Sequence, residues 1–273
     1  MIPAAFDYVR ADSADEAIAA LGEHGDDAKL LAGGMSLLPL MKLRLATPAV
    51  LVDIGRVGQL SYVRDGGDHV AIGALTRHRD LETSELLAEQ CGVLRKVASE
   101  VGDNQVRHRG TIGGSVAHGD PASDLPAALL ALDGTFVVRG SGGERTIPAG
   151  EFFQGFLETA LAPDELLTEI RVPKTPGAGF SYQKFQRRAQ DWAIVGALAI
   201  RNGGARVALV NMGSTPVRAT AVEQSLASGA SVADAAQQAA DGTDPPSDLN
   251  ASSQYREHLA RVLVRRALEA ATR

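Results

Sequence analysis

The chain has 273 residues, of which 45% are hydrophobic and 22% charged, as in an ordinary globular protein with two or three subdomains. A formal net charge of −6 argues against a nucleic-acid partner, because domains that bind phosphate backbones usually carry a basic patch. No apolar run approaches the roughly 18 residues of a membrane span. The first seven residues do not resemble a signal peptide. We therefore expect a cytoplasmic protein, with peripheral attachment to the inner face of the membrane left open.

The cysteine and histidine content restricts the possible redox chemistry. The only cysteine, Cys91, cannot form an intrachain disulfide, nor can it alone hold an iron–sulfur cluster or a thiolate zinc site. The six histidines are scattered and include no pair at metal-ligand spacing. No metal site is predicted, and Cys91 is expected to be a buried apolar side chain. Any redox activity of this chain requires an organic cofactor.

The first predicted unit covers residues 1–57 and has an α-β-α-β order or a close variant. Ser13–Glu16 has the pattern of a capping box that opens a helix. The pattern then predicts a strand over 28–32, a helix from Ser36 with Pro39 in its first turn, and a strand over 49–54.

The second predicted unit covers residues 58–172 and mixes strands with helices. Its predicted elements are a strand over 69–75, helices over 80–88 and 93–101, a glycine loop over 109–115, a helix from Ser123 or Asp124 to Leu132, strands over 135–139 and 166–172, and a helical stretch near 152–156. The proline- and glycine-rich segment 173–179 is the best candidate for a linker.

The third predicted unit, residues 178–273, is a three-stranded antiparallel sheet backed by helices. Strands are predicted over 180–186, 193–201 and 205–212, and Asn202-Gly203 is a strong hairpin signal between the last two. Helices follow over 217–226, 232–240 and 255–271. The fold class is therefore α+β.

Two glycine pairs, Gly33-Gly34 and Gly113-Gly114, each precede a predicted helix. Glycine allows positive φ and removes the Cβ that would block a diphosphate, and backbone N–H groups at a helix start favour an anion. Each pair alone is more often an ordinary turn. The G-x-G-x-x-G fingerprint and the Walker loop are both missing at these two places, which weakens a standard Rossmann interpretation. Two pairs in similar contexts favour a shared nucleotide cleft.

The chain resembles the FAD-binding medium subunits of molybdenum hydroxylases, the group that contains xanthine dehydrogenase and aerobic carbon monoxide dehydrogenase. The resemblance is closest to the carbon monoxide dehydrogenase type. It rests on Ala32-Gly33-Gly34-Met35-Ser36-Leu37 and Thr111-Ile112-Gly113-Gly114-Ser115, and it continues through 41–44, 52–54, 72–74, 105–107, 120–126, 165–170, 184–193, 213–219 and 255–266. It covers essentially the whole sequence.

This resemblance implies a vanillyl-oxidase-type (PCMH-type) FAD-binding fold followed by a C-terminal flavoprotein domain. It implies one non-covalent FAD, with the molybdenum cofactor and [2Fe–2S] clusters on a large and a small partner subunit, in a dimer of heterotrimers. No residue is assigned a catalytic role. The residues that the resemblance places at the cofactor are Leu30, Leu31, Ala32, Gly33, Gly34, Met35, Ser36, Leu37, Thr111, Ile112, Gly113, Gly114, Ser115, Asp124, Leu167, Lys184 and Trp192.

Three of these residues have plain structural alternatives. Asp124 is also a candidate helix cap, Lys184 a candidate for a solvated strand face, and Trp192 a candidate core residue. The chain also departs from the family pattern: Met35 stands where carbon-monoxide-type relatives often carry histidine, and Ser115 and His108 stand where asparagine is frequent. A thioether can neither donate a hydrogen bond nor form a histidyl link to flavin.

The function implied by the resemblance is electron transfer. The chain would accept electrons from the iron–sulfur subunit and pass them to quinone, oxygen or NAD, while the complex oxidises carbon monoxide, an aldehyde or an N-heterocycle. Two other functions remain open, a stand-alone FAD oxidase of the same superfamily and an assembly scaffold that has lost its flavin.

Overall fold

The computed structural model describes residues 1–272 and has the predicted α+β architecture. Its strands form a three-stranded, a five-stranded, a four-stranded and a two-stranded sheet. Within residues 1–272, no helix is both long enough and apolar enough to cross a membrane.

The first sheet is parallel, with the strand order β1-β3-β2. Its unit comprises β1 (Asp7–Arg10), α1 (Ala14–His24), β2 (Ala28–Leu31), α2 (Leu37–Lys42) and β3 (Val50–Asp53). The predicted Ser13 cap is confirmed, because the Ser13 hydroxyl accepts a hydrogen bond from the Glu16 N–H at 3.1 Å. The Glu16 carboxylate accepts from the Asp12 N–H at 2.8 Å and not from the Ser13 N–H, so the box is not closed in its usual form. Strand β1 was not predicted. It has only four residues, three of them exposed, and this leaves no alternating pattern to detect.

The second sheet is antiparallel, with the order β4-β5-β10-β6-β7. Its elements, with the small β8–β9 hairpin, are β4 (Val63–Asp65), β5 (His69–Gly73), α3 (His78–Thr83), α4 (Glu85–Gln90), α5 (Gly92–Ser99), α6 (Asn104–Arg109), α7 (Ile112–His118), α8 (Asp124–Ala131), β6 (Thr135–Gly140), β7 (Gly143–Pro148), α9 (Ala149–Phe152), β8 (Phe153–Gly155), β9 (Glu158–Thr159) and β10 (Leu166–Pro173).

Two predicted helices of this unit were wrong in extent. The helix predicted over 80–88 is two helices, because the Ser84 hydroxyl accepts from the Leu87 N–H and caps a new one. The stretch near 152–156 is helical only up to Phe152. Phe153 starts a strand instead, and its ring packs edge-on against Phe136 and Phe152.

The second glycine segment is a helix and not a loop. Thr111 occupies the N-cap of α7, and its hydroxyl accepts from the Gly114 N–H at 3.1 Å. The residues before it form α6, so the prediction of similar contexts for the two glycine pairs was wrong. A threonine cap directly before Ile112 is a helix-start signal that the glycine pair obscured.

The C-terminal sheet has four strands, in the order β11-β12-β13-β14, and not the predicted three. The elements are β11 (Gly179–Phe185), β12 (Val195–Arg201), β13 (Ala205–Val210), β14 (Val217–Arg218), α10 (Thr220–Ala227), α11 (Val232–Ala236) and α12 (Ser253–Ala270). The extra strand has only two residues, fewer than sequence periodicity can reveal. The hairpin turn at Asn202-Gly203 is confirmed, with Gly203 at a φ of 71°.

The largest core cluster joins the second unit to the C-terminal sheet. Leu125 and Leu129 of α8 share it with Leu198 and Ile200 of β12, and all four are buried. Helix α8 packs against β12 and β13. This packing fixes the start of α8 relative to strand β11, where the predicted polar site residues lie.

Candidate cofactor site

A cleft of about 640 Å³ lies between the first unit, helices α7 and α8, and strands β10 and β11. Its volume falls in the range of about 300–1,000 Å³ that is usual for small-molecule sites. All of the predicted site residues line it except Leu31 and Ile112. Ile112 is fully buried in the core, and the Leu31 carbonyl accepts from the Ile54 N–H.

The first glycine segment presents a run of unpartnered donors to this cleft. The backbone N–H groups of residues 33 to 37 donate no hydrogen bond to any protein group within residues 1–272. The segment leads into α2, whose first-turn donors also have no partner inside the helix. Successive unpartnered N–H groups form a concave site for an anion. Gly34 has a φ of 75°, which a residue with a side chain rarely adopts.

Gly33 brings the two glycine segments into contact. A Cβ built on Gly33 would overlap the Arg109 carbonyl oxygen and would lie 2.9 Å from the Gly110 Cα. The space that this glycine leaves free is therefore filled by the backbone before α7. Arg77 donates to the same Arg109 carbonyl and holds that backbone in place.

The second glycine segment, by contrast, uses its N–H groups within the protein. Gly113 donates to the Ala74 carbonyl at 2.8 Å, and Ser115 donates to the Thr111 carbonyl at 3.0 Å. A Cβ on Gly113 would lie 2.6 Å from the Ala74 carbonyl oxygen. Gly113 is thus required for packing of α7 against the end of β5. The second glycine segment shapes the wall of the cleft and contributes the Ser115 side chain to it.

Asp124 also lines the cleft and is held by two residues of β11. Lys184 Nζ donates to Asp124 Oδ2 at 2.9 Å and to the Glu100 carbonyl at 2.9 Å, and the Tyr182 hydroxyl donates to Asp124 Oδ1. The side chains of Asp124 and Lys184 are only 6% and 5% exposed. Burial raises the pKa of the Asp124 carboxyl above its usual value, while Lys184 and Tyr182 act to lower it.

These contacts decide between the alternatives left by the sequence for Asp124 and Lys184. The N-cap of α8 is Ser123, so Asp124 is the first helical residue and does not cap the helix. Lys184 does not lie on a solvated strand face, because it is buried and paired with a carboxylate.

Trp192 and Leu167 mark two further edges of the cleft. Trp192 is 56% exposed, so the interpretation as a core residue was wrong. Its loop joins β11 to β12 and contributes to a second cleft of about 760 Å³. Leu167 is buried at an irregularity where β10 shifts its register with β6. Met35 is 39% exposed at the unpartnered N–H run.

Two site residues were not predicted. His78 lines the cleft, is buried, and has no hydrogen-bond partner for Nδ1 within residues 1–272. Burial, with smaller contributions from Arg107 and Arg77, lowers the pKa of His78 to about 4, so the imidazole is neutral near pH 7. Tyr182 is the other. Neither residue belongs to a motif. The fold places His78 in the lining of the cleft and Tyr182 outside that lining, in contact with Asp124.

Residues 1–272 include no group of three or more histidine, cysteine, aspartate or glutamate side chains placed to hold a metal ion. Burial raises the pKa of the Cys91 thiol to about 11. A thiol in this setting is a poor nucleophile, because the thiolate is the reactive form.

Comparison with known families agrees with this geometry. The model for the FAD binding domain in molybdopterin dehydrogenase matches residues 4–175, and that for the CO dehydrogenase flavoprotein C-terminal domain matches residues 180–271. The chain belongs to the family of FAD-binding molybdopterin dehydrogenase proteins, which confirms the resemblance and its cofactor.

Individual relatives match over nearly their full length. The carbon monoxide dehydrogenase medium chain of Hydrogenophaga pseudoflava is 43% identical over 99% of this chain and 98% of its own. Subunit alpha of the 6-hydroxypseudooxynicotine dehydrogenase complex of Paenarthrobacter nicotinovorans is 41% identical over 98% and 95%. Among solved structures, carbon monoxide dehydrogenase of H. pseudoflava superposes with a TM-score of 0.96 at 43% identity, covering 99% and 98%. Quinoline 2-oxidoreductase of Pseudomonas putida 86 gives 0.92 at 32% identity, covering 99% and 98%.

Proposed function

We propose that this chain is the FAD-binding electron-transfer subunit of a heteromeric molybdenum hydroxylase. The observation that carries the proposal is the run of unpartnered N–H groups at residues 33 to 37, which faces a cleft whose other wall holds Asp124 and Lys184. An anion site opposite a carboxylate suits a ligand that has a diphosphate and several hydroxyl groups.

The residues of the cleft suit the separate parts of FAD. Residues 30 to 37 would hold the diphosphate through backbone N–H groups, and residues 111 to 115 would shape the adjoining wall. Asp124 would accept hydrogen bonds from sugar or ribityl hydroxyls. Leu167, Lys184 and Trp192 would contact the ring systems, Trp192 through its exposed indole.

Bound FAD would supply the electron storage, and this chain would supply orientation and solvent exclusion. A chain with one cysteine cannot ligate a [2Fe–2S] cluster on thiolates. The clusters and the molybdenum cofactor would therefore lie on the small and large partner subunits. Similarity to the medium chain of carbon monoxide dehydrogenase and to a subunit of 6-hydroxypseudooxynicotine dehydrogenase supports this division.

We further propose the assembly and its setting. The complex would be a dimer of heterotrimers in the cytoplasm, or peripheral to the inner membrane face. It would oxidise carbon monoxide, an aldehyde or an N-heterocycle and deliver electrons to an external acceptor. Boundaries at 1–57, 58–172 and 178–273 would separate its three units. The parallel and C-terminal sheets lie within the first and third ranges, and the five-stranded sheet passes the end of the second by one residue, at Pro173; this supports the boundaries.

Anaerobic absorbance spectroscopy of the purified chain tests the proposal. We expect one FAD per chain, all of it released by acid precipitation, and bleaching by dithionite but by none of the three substrate classes. Adding the iron–sulfur and molybdenum subunits should make the same flavin bleach with the substrate of the complex.

Each alternative function has its own outcome in this experiment. Rapid bleaching of the isolated chain by a substrate would identify a stand-alone oxidase. A colourless chain that takes up no added FAD would identify a flavin-free scaffold. Flavin retained in the acid pellet would contradict non-covalent binding.

A further inference from the structure

Tyr182 belongs to no sequence motif, yet its hydroxyl reaches the cleft wall from inside the core. Its side chain is buried in the core cluster shared by the second unit and the C-terminal sheet. The hydroxyl donates to Asp124 Oδ1, the oxygen that Lys184 does not contact. Each oxygen of Asp124 therefore has one donor from strand β11.

Gly196 on the neighbouring strand leaves the room that this hydroxyl occupies. A Cβ on Gly196 would lie 2.8 Å from the Tyr182 hydroxyl oxygen and 3.0 Å from Val210 Cβ. Gly196 pairs with Lys184 in the register of β11 and β12. The position of the hydroxyl is thus fixed by the sheet, and the hydroxyl has little freedom to turn away from Asp124.

We propose that Tyr182 is a positioning residue for the cofactor, which orients the Asp124 carboxylate so that it can accept hydrogen bonds from the hydroxyl groups of FAD. The proposal rests on the role proposed above for Asp124.

A carboxylate can accept several hydrogen bonds, so Asp124 can contact donors of the protein and of a ligand at the same time. An ionised carboxylate has about four acceptor positions. Tyr182 and Lys184 occupy one on each oxygen, which leaves about two for a ligand in the cleft that Asp124 lines. Without the tyrosine hydroxyl, one oxygen would lose its donor inside a buried site, and the carboxylate would be free to rotate.

The charge of Asp124 depends on few neighbours. Lys184 and Tyr182 of β11 favour the ionised form, whereas burial and the Glu100 carboxylate disfavour it. Removing the Tyr182 hydroxyl removes one stabilising hydrogen bond, so the pKa of Asp124 should rise further. Binding that needs the carboxylate is present above this pKa and is lost as pH falls through it. The loss should therefore occur at higher pH in the variant.

The test is FAD titration of the deflavinated full chain, followed by quenching of flavin fluorescence across pH 5–8. In Tyr182→Phe we expect the affinity at neutral pH to fall about tenfold, as for a lost hydrogen bond to a charged group. The pH at which binding weakens should move upward. Gly196→Ala, which displaces the hydroxyl without removing it, should reproduce both effects.

Tyr62→Phe is the matched control. The Tyr62 hydroxyl also donates to a carboxylate, Glu169 Oε2 at 2.7 Å, but neither residue lines the cleft. We expect the FAD affinity of Tyr62→Phe to stay within about twofold of the wild type, because only a contact outside the cleft is lost. Tyr182→Phe combined with Asp124→Asn should bind no more weakly than Asp124→Asn alone.

Three results would overturn the proposal. One is wild-type affinity and pH dependence in Tyr182→Phe. Another is a loss that is equal at every pH and accompanies a similar fall in melting temperature, which would indicate a purely structural role. The third is wild-type affinity in Asp124→Asn, which would remove the Asp124 assignment itself while leaving FAD binding by the chain intact.

Discussion

The glycines of the two glycine segments, Gly33-Gly34 and Gly113-Gly114, differ in what fills the space next to them. Sequence reasoning treated all four as openings for a diphosphate. In the structure, Gly33 accommodates the Arg109 carbonyl and Gly113 accommodates Ala74, while Gly34 supplies a positive φ. A sequence identifies a position that tolerates no Cβ, but the group that would collide with it belongs to a distant segment.

Substitution of Gly33 by alanine tests this contact. Overlap with the Arg109 carbonyl should separate the two segments, lower the unfolding free energy by about 1–3 kcal/mol and reduce the FAD content of the purified chain. Gly22→Ala is the control. Gly22 lies in α1 with nothing within 4 Å of its built Cβ, so alanine should stabilise the chain by about 1 kcal/mol.

Denaturant unfolding and the ratio of flavin to protein absorbance measure both effects. Unchanged stability and flavin content in Gly33→Ala would show that the segments can separate without cost.

Helix α12 shows how one sequence pattern can hide two kinds of residue. The sequence places Arg256, Arg261, Arg265 and Arg266 on this helix, a pattern typical of a solvated basic face on a core-packed helix. The structure leaves Arg265 and Arg266 exposed but buries Arg256, whose guanidinium donates to the Ile194 carbonyl and to Asp248 Oδ2. Arg256 thereby anchors α12 to the loop before β12.

Removing this anchor should cost much more than removing an exposed arginine of the same helix. Arg256→Ala should lower the unfolding free energy by about 3 kcal/mol, because the Asp248 and Ile194 acceptors lose a buried cation. Arg265→Ala, which removes an exposed pair with Glu269 at 2.8 Å, should leave the unfolding free energy nearly unchanged. Equal costs in chemical denaturation would contradict the anchoring role.

The burial of an apolar pattern, more than the length of an element, decided whether the sequence revealed it. Strands β5, β10, β12 and β13 and helices α1, α5 and α12 were located because they bury a regular pattern of apolar residues. Strands β1, β4, β7 and β14 bury at most one residue each and were missed. Such strands form because a neighbouring strand supplies hydrogen bonds, and the local sequence does not identify that neighbouring strand.

At the scale of the whole molecule, the family motifs located the cleft, whereas its chemistry depends on tertiary placement. Residues 30–37 and 111–115 were found from their motifs, and nearly all of them line the cleft. The pairing of Asp124 with Tyr182 and Lys184 joins positions about sixty residues apart through the packing of α8 on the C-terminal sheet. Periodicity predicts which face of an element is buried, but not its partner.

This packing predicts that the second unit and the C-terminal sheet unfold together. Amides of α8 and β12 should exchange with deuterium at the same opening free energy across a denaturant series, because both elements belong to one core cluster. Helix α2, which buries only Met41, should open at lower free energy and serves as the internal reference. Hydrogen-exchange mass spectrometry measures the opening free energies of α8, β12 and α2. Earlier opening of β12 than of α8 would show that the two parts fold independently.

The unpartnered N–H groups of residues 33 to 37 should also affect the steady-state abundance of this protein in a cell. These donors have no acceptor within the described chain, so a bound diphosphate adds stability that the polypeptide alone lacks. At a FAD concentration one hundred times the dissociation constant, the gain is about 2.7 kcal/mol. A difference of that size changes the fraction of molecules exposed to proteases. The abundance of the subunit should therefore follow the supply of flavin, and riboflavin starvation should deplete the protein before transcription of its gene changes.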